Sequence, residues 1–215
     1  IGAWIRDSMA GIGTMTYYDP ETGSFGALGH GITESDTGIL MPFASGSLLP
    51  SAVKAVKKGA SGEAGELRGD FDLTGDLGDL SANTSSGIFG TLDPGEFTER
   101  LGDAIPVASA GEVHTGPAAI LANVEGDAVR EYDIEILQIV EDAADSRDLV
   151  IAVTDPELLS ITGGIVQGMS GSPILQDGKF AGAVTHVLLN DPSKGYGILM
   201  ETMLEAGDPA ASSVT

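Results

Sequence analysis

The amino-acid sequence predicts an all-β protein whose strands form paired β-barrels or a sandwich, followed by one C-terminal helix. Its 215 residues include 31 glycines, and aromatic residues make up 5% of the chain. This composition favours many tight turns between short strands. Runs of β-branched residues alternate with the turns, and apolar residues at helical spacing occur near the C-terminus. The length suits one domain that buries a substantial core.

The N-terminal half predicts a succession of hairpins. Residues 11–32 alternate through Tyr18, turn at the DPETG segment and continue as a second strand that ends near His30. Residues 46–62 predict a short helix or strand followed by a loop. Residues 65–93 are rich in Gly and Asp, which indicates repeated turns between short strands. His30 is therefore expected at the end of a strand.

The C-terminal half predicts further strands and then the helix. Strands are expected within residues 104–126, 130–142, 147–155 and 178–191, where β-branched residues are frequent. Residues 196–209 carry apolar side chains at helical spacing before a Gly-Asp-Pro stop. We expect residues 1–215 to form one domain of two lobes that meet near residue 105.

Charge and cysteine content exclude several classes of function. The chain has 32 acidic and 10 basic residues, for a net charge of -22, so a nucleic-acid partner is not expected. The absence of cysteine rules out disulfides, thiolate metal sites and a cysteine nucleophile. An Asp-rich loop lacks the spacing of a calcium site and predicts solvated acids, at Asp70, Asp72, Asp76 and Asp79. No metal or other cofactor is expected.

The segment Gly168-Met169-Ser170-Gly171 is a candidate for nucleophilic catalysis. A serine hydroxyl needs a base to remove its proton, and the developing oxyanion needs backbone N–H donors. Glycines on both sides allow the amides of Gly168 and Ser170 to point at one oxygen beside the Ser170 hydroxyl. The motif is not the G-x-S-x-G elbow, because Ser172 takes the fifth position. The alternative is a tight turn between strands.

Three histidines could supply the base: His30, His114 and His186. His30 lies between glycines at a predicted strand end, where a catalytic ring is accessible. His186 alternates with apolar residues and could line a strand face, and His114 has the surroundings of a turn residue. Acids are too numerous to choose by count; Asp155 ends a predicted strand and Asp36 follows His30 closely.

Two long blocks of the sequence resemble one peptidase family. They are GIGTMTYYDPETGSFGALGHGITESDTG and VTDPELLSITGGIVQGMSGSPILQDGKFAGAVTHVLLNDPSKGYGI. Both are similar to the SpoIVB peptidases, the S55 serine peptidases of stage IV sporulation. The resemblance spans nearly the whole chain and is strongest in residues 11–47 and 150–200. It implies a trypsin-like double β-barrel serine endopeptidase.

The resemblance also implies residue roles. The histidine of the GHG block falls on His30, the serine of GMSGSP on Ser170 and the orienting aspartate of the VTDP block on Asp155. An orienting acid this close before the serine is unusual for a two-barrel peptidase, and the alternative is that Asp155 caps the turn that follows it. The strand after the nucleophile is expected to bind substrate through Thr185, His186 and Val187.

The family's biology is a further implication. Its sporulation enzymes act outside the cytoplasm, in the space between the two forespore membranes, and cut themselves and a membrane-bound regulatory protein. A membrane anchor and a PDZ domain usually precede the peptidase domain in this family, and the sequence is expected to correspond to the peptidase domain alone. An N-terminal Ile1-Gly2 is typical of zymogen activation, but the uncharged Met169 before the serine predicts no such switch. The competing hypothesis is an inactive peptidase-like binding or regulatory module.

Overall fold

The computed structural model describes residues 10–34, 36–42, 45–92, 95, 102–140, 143 and 145–208. Strands dominate it and two short α-helices complete it, so the all-β prediction with a C-terminal helix is confirmed. Residues 46–62, for which a helix or a strand was expected, contain strands. The lobe border near residue 105 stays a prediction, and Ile1-Gly2 lies outside the described residues.

The first lobe contains an open sheet and a separate two-stranded ribbon. Its strands are β1 (Met15–Tyr18), β2 (Ser24–Ala27), β3 (Ser47–Leu48), β4 (Ser51–Lys57), β5 (Glu66–Phe71), β6 (Gly78–Thr84) and β7 (Gly87–Leu92). The sheet order is β1-β2-β7-β6-β3, and β4 pairs with β5. This lobe is the half-barrel of the predicted two-barrel fold, because its described strands do not close into a ring.

The second lobe is a closed six-stranded barrel in the order β10-β13-β12-β11-β8-β9. Its elements are β8 (Gly116–Ala122), β9 (Arg130–Ile139), β10 (Leu149–Val153), α1 (Pro156–Thr162), β11 (Pro173–Gln176), β12 (Lys179–Val187), β13 (Lys194–Leu199) and α2 (Met200–Gly207). All neighbouring strands in this barrel are antiparallel. Closure leaves no free sheet edge along the paired strands.

Period-two burial explains why the barrel forms. On β9, Tyr132, Ile134 and Ile136 are buried while the residues between them are exposed. Alternate side chains of a strand point to opposite faces, so this pattern places one apolar face inside the barrel. Leu67 of the β4–β5 ribbon joins the same core, and its amide donates to the Gln167 carbonyl at 2.8 Å. The ribbon thus packs on the segment that leads to Ser170.

Candidate active site

Ser170 lies in a turn just before β11. Gly168 and Gly171, on either side of it, have φ angles of 99° and 93°. These left-handed values strain any residue with a Cβ, which explains the glycines. The Ser172 amide donates to the Met169 carbonyl at 2.9 Å, and the Gly171 amide to the Val184 carbonyl at 2.7 Å. The turn is therefore held against β12.

Thr14 of the first lobe forms two hydrogen bonds with this turn. The Thr14 amide donates to the Ser170 carbonyl at 2.9 Å, and its hydroxyl donates to the Gly168 carbonyl at 3.0 Å. The Thr14 carbonyl accepts in turn from the Leu28 amide at 3.1 Å. Two residues after Leu28 comes His30. Thr14 therefore connects the turn of the candidate nucleophile, Ser170, to the strand end that carries the candidate base, His30.

The backbone before His30 is bent sharply. Leu28 and Gly29 have φ angles of 70° and 68°. A leucine in the left-handed region costs about 1–2 kcal/mol, which the surrounding contacts must offset. A Cβ added to Gly29 would come within 2.9 Å of Thr185 Cγ2 and 3.0 Å of Ile198 Cγ2. The bend packs the chain closely against β12 and β13 of the barrel. It also places the His30 ring beside that of His186, with 4.7 Å between the ring centroids.

A backbone carbonyl sets the tautomer of His30. Its Nδ1 lies 3.0 Å from the Gly31 carbonyl oxygen, which can only accept a hydrogen bond. Nδ1 therefore carries the proton, and Nε2 is left as the basic nitrogen. Burial lowers the pKa of His30, and the Gly31 bond opposes this in part. Because the ring is neutral near pH 7, it can accept a proton.

The Ser170 hydroxyl donates to the Thr185 carbonyl at 2.8 Å. Among the described residues no hydrogen bond joins it to His30. Catalytic hydrogen bonds often tighten only when substrate binds, so rotation of the hydroxyl toward His30 Nε2 belongs to the reaction. The structure thus places both residues beside β12, Ser170 at the Thr185 carbonyl and His30 at the His186 ring.

The amides expected to form the oxyanion hole are free. In the part of the chain that the structure describes, neither the Gly168 nor the Ser170 amide donates a hydrogen bond. The carbonyls that precede them are used, because Gln167 accepts from Leu67 and Met169 accepts from Ser172. The N–H and C=O of a trans peptide point in opposite directions, so both amides face away from these partners. Their role as oxyanion donors stays a prediction.

Among the described residues, no hydrogen bond joins Asp155 to His30. The Asp155 carboxylate accepts from the Leu158 amide at 2.8 Å and caps the first turn of α1, with Pro156 following it. Asp155 follows β10, and β13 separates β10 from the His186 strand β12. Two strand spacings amount to about 10 Å. The alternative named for this residue, a helix-capping acid, is what the geometry favours.

Replacing Asp155 therefore tests cap against catalysis. We expect Asp155→Ala to lower the free energy of unfolding by about 0.5–2 kcal/mol, and Asp155→Asn to lower it far less, because asparagine also caps. Both variants should keep kcat within about tenfold of the wild type. Urea denaturation and hydrolysis of p-nitrophenyl acetate measure the two quantities. A rate loss of about 10⁴-fold in Asp155→Asn would instead identify an orienting acid.

The three residues expected to bind substrate have different surroundings. Thr185 is buried, and its hydroxyl donates to the Ser146 carbonyl at 3.0 Å, so its side chain serves the protein interior. β11 pairs with β12 only as far as Ala183. His186 and Val187 therefore lie on a stretch of β12 without a β11 partner in the described chain, which suits strand addition. Substrate binding here stays a prediction.

The other candidates lie apart from this arrangement. His114 is exposed, and its Nε2 is 2.8 Å from an Asp177 carboxylate oxygen. Hydrogen bonds to Thr115 and Asp177 raise the pKa of His114. The Asp72 carboxylate accepts from Thr74 within its own loop. Among the described residues, no group of three or more histidines and acids could hold a metal ion. Nor does any described helix have the length and apolarity to span a membrane.

Comparisons with known proteins give one family match and similar solved structures. The family model of the SpoIVB peptidase S55 matches residues 1–204. Two solved structures are similar, both of the Rv3671c protease. The inactive form is 15% identical over 61% of this chain and 66% of its own, with a TM-score of 0.41. The active form, from M. tuberculosis, is 14% identical over 82% of this chain and 95% of its own, also with a TM-score of 0.41. A search of curated proteins gave no match.

Proposed function

Because the chain belongs to the SpoIVB peptidase S55 family, and is thus a serine peptidase, we propose that it is an endopeptidase that cleaves a protein substrate, and also itself, in extracytoplasmic sporulation signalling. The observation that carries the catalytic proposal is the turn at Ser170, which Thr14 holds through two hydrogen bonds. It combines a hydroxyl bound at Thr185 of β12, next to the residue that contacts the neutral His30 ring, with two amides that have no acceptor among the described residues.

The chemistry follows from these groups. Ser170 Oγ attacks the scissile carbonyl carbon while His30 Nε2 takes the hydroxyl proton. The carbonyl oxygen becomes an oxyanion and accepts from the Gly168 and Ser170 amides, which need no rearrangement to donate. His30 then protonates the leaving amine, and an acyl-enzyme remains on Ser170. Water, activated by His30, hydrolyses this ester and restores the hydroxyl.

The proposed setting rests on the family resemblance. A membrane-bound regulatory protein is the partner expected to be cut, and the space between the forespore membranes is the expected location. In the whole protein a PDZ domain and a membrane anchor would deliver the peptidase to that substrate. A substrate segment would pair with the side of β12 near Val187 that has no β11 partner in the described chain, and would place its scissile bond at Ser170.

An inactive binding module is the second candidate, and one observation favours it. The Ser170 hydroxyl donates to Thr185 and not to a histidine, which would suit a serine that is never activated. The same edge of β12 would then bind a peptide without cutting it. The two functions differ in whether Ser170 reacts as a nucleophile.

A fluorophosphonate probe separates the two functions, because the probe phosphorylates only an activated serine. We expect stoichiometric labelling of the wild type, which peptide mass mapping locates at Ser170. Fluorescein-labelled casein should be cut at internal bonds in the same preparation. A folded protein that is neither labelled nor able to cut casein would leave the binding module as the function.

A further inference from the structure

Among the described residues, His30 has a second imidazole as its neighbour, and no carboxylate forms a hydrogen bond with it. The ring centroids of His30 and His186 lie 4.7 Å apart, with an angle of 37° between the ring planes. Among the described residues, the histidine that pairs with an acid is the exposed His114. Burial lowers the pKa of His30, and the hydrogen bond to the Gly31 carbonyl raises it. Among the described residues, the side chain that can hold the His30 ring in place is therefore the His186 imidazole.

Hydrogen bonds of the neighbouring residue Thr185 fix the backbone at His186. The residue before it, Thr185, accepts the Ser170 hydroxyl at 2.8 Å with its carbonyl. The Thr185 hydroxyl donates at 3.0 Å to the carbonyl of Ser146, a buried residue with a φ of 58°. The Ser146 hydroxyl reaches the Ser85 carbonyl at 2.7 Å. The backbone at His186 is thus tied to the nucleophile and to the turn between β6 and β7.

The His186 ring keeps an unused polar atom. Its Nδ1 is buried and has no hydrogen-bond partner among the residues that the structure describes. An unpaired buried nitrogen costs about 1–3 kcal/mol, so an apolar ring of similar shape would be more stable there. A histidine in this place is therefore a stability cost at the site, as is common for groups that serve function.

We propose that His186 is the positioning residue of His30: its neutral imidazole packs on the ring of the base and holds Nε2 toward Ser170, while the Gly31 carbonyl accepts from Nδ1. The proposal rests on the proposed function of Ser170 and His30. It differs from the expectation that His186 only reads substrate, because it assigns His186 an effect on every substrate, however small.

Electrostatics around His186 fit this role. Burial, the nearby His30 and the Arg147 guanidinium lower the pKa of His186 to about 4, and Asp145 opposes them. The Asp145 carboxylate is paired with Arg147 at 3.1 Å. His186 is consequently neutral whenever His30 takes a proton, so His30 does not meet a second positive charge. A protonated neighbour would repel the imidazolium that forms in the reaction.

The test uses p-nitrophenyl acetate, an ester too small to reach the peptide-binding stretch of β12. We expect His186→Ala to lower kcat for this ester by about 10²-fold, the loss that a misplaced catalytic group produces. His186→Phe keeps an aromatic ring against His30 and should recover part of the loss. His114→Ala, an exposed histidine, is the matched control and should equal the wild type.

The pH profile provides a readout that a structural role would not move. In the wild type, the acidic limb of kcat/KM should lie below the ordinary histidine pKa of about 6.5, because burial disfavours the charged ring of His30. His186→Ala opens one side of the His30 ring to water, so the limb should move to higher pH. In His186→Phe the limb should stay low.

Three outcomes would overturn the proposal. One is a wild-type ester kcat in His186→Ala with only a raised KM for casein, which would make His186 a substrate contact. Another is an equal rate loss in Asp145→Asn, which would give the role to that acid. The third is an unchanged His30 pKa in His186→Ala, measured by NMR titration of the imidazole. The titration needs no activity, so failure of the proposed function is recognised separately, by an unlabelled wild type.

Discussion

Ser170→Ala is expected to lower kcat by about 10⁶-fold on ester and casein, with folding intact. Removing the nucleophile of a serine peptidase leaves only the contributions of substrate binding and of the oxyanion donors. The Ser170 side chain makes one hydrogen bond, to the Thr185 carbonyl. The turn itself is fixed by backbone bonds of Thr14, Gly171 and Ser172, which alanine preserves. Fluorophosphonate labelling and single-turnover kinetics measure the loss.

Ser172 offers a matched control two residues away. Its side chain is fully buried, and its hydroxyl has no hydrogen-bond partner. Ser172→Ala therefore removes an unpaired polar atom and should leave both labelling and unfolding close to the wild type. If Ser170→Ala kept its activity and Ser172→Ala lost it, the nucleophile would have been assigned to the wrong serine.

The fold could be predicted where the pattern is local. The alternation along β9 and the apolar spacing of α2 are visible in the sequence because each depends on neighbours a few residues away. Closure of the second barrel is not local, since β10 pairs with β13 and β8 with β11 across long stretches of chain. No periodicity reports such pairings, and the open first sheet could not be distinguished from a barrel in advance.

The site was predictable in part for a similar reason. Ser170 and His30 could be proposed as candidates because the flanking glycines of each mark an unusual backbone, and both glycine patterns are short. The contact between His30 and His186 joins residues 156 positions apart and has no local signature. Asp155-Pro156 is, by contrast, a recognisable helix start. That signal for a cap was present in the sequence and competed with the catalytic role that the resemblance implied.

Gly171→Ala is expected to have the largest effect on the fold of the site. A Cβ at this position would lie 2.1 Å from the Thr14 carbonyl oxygen and 2.7 Å from the Leu28 amide nitrogen. Both atoms belong to the backbone that joins the lobes, so no side-chain rotation can relieve the overlap. Adding this to the strain of a φ of 93° predicts a loss of more than about 3 kcal/mol of unfolding free energy.

The control for Gly171 is Gly178, which has a φ of 74° and no atom within 4 Å of an added Cβ. Gly178→Ala suffers the left-handed strain alone and should cost about 1–2 kcal/mol. Gly178→Ala should retain fluorophosphonate labelling. Gly171→Ala should lose it, because the hydrogen bonds from Thr14 that support the Ser170 turn must break. Urea denaturation compares the two energies. Equal losses of unfolding free energy in both variants would mean that the backbone around Thr14 shifts without cost. The contact between Thr14 and the Ser170 turn would then not hold Ser170 in place.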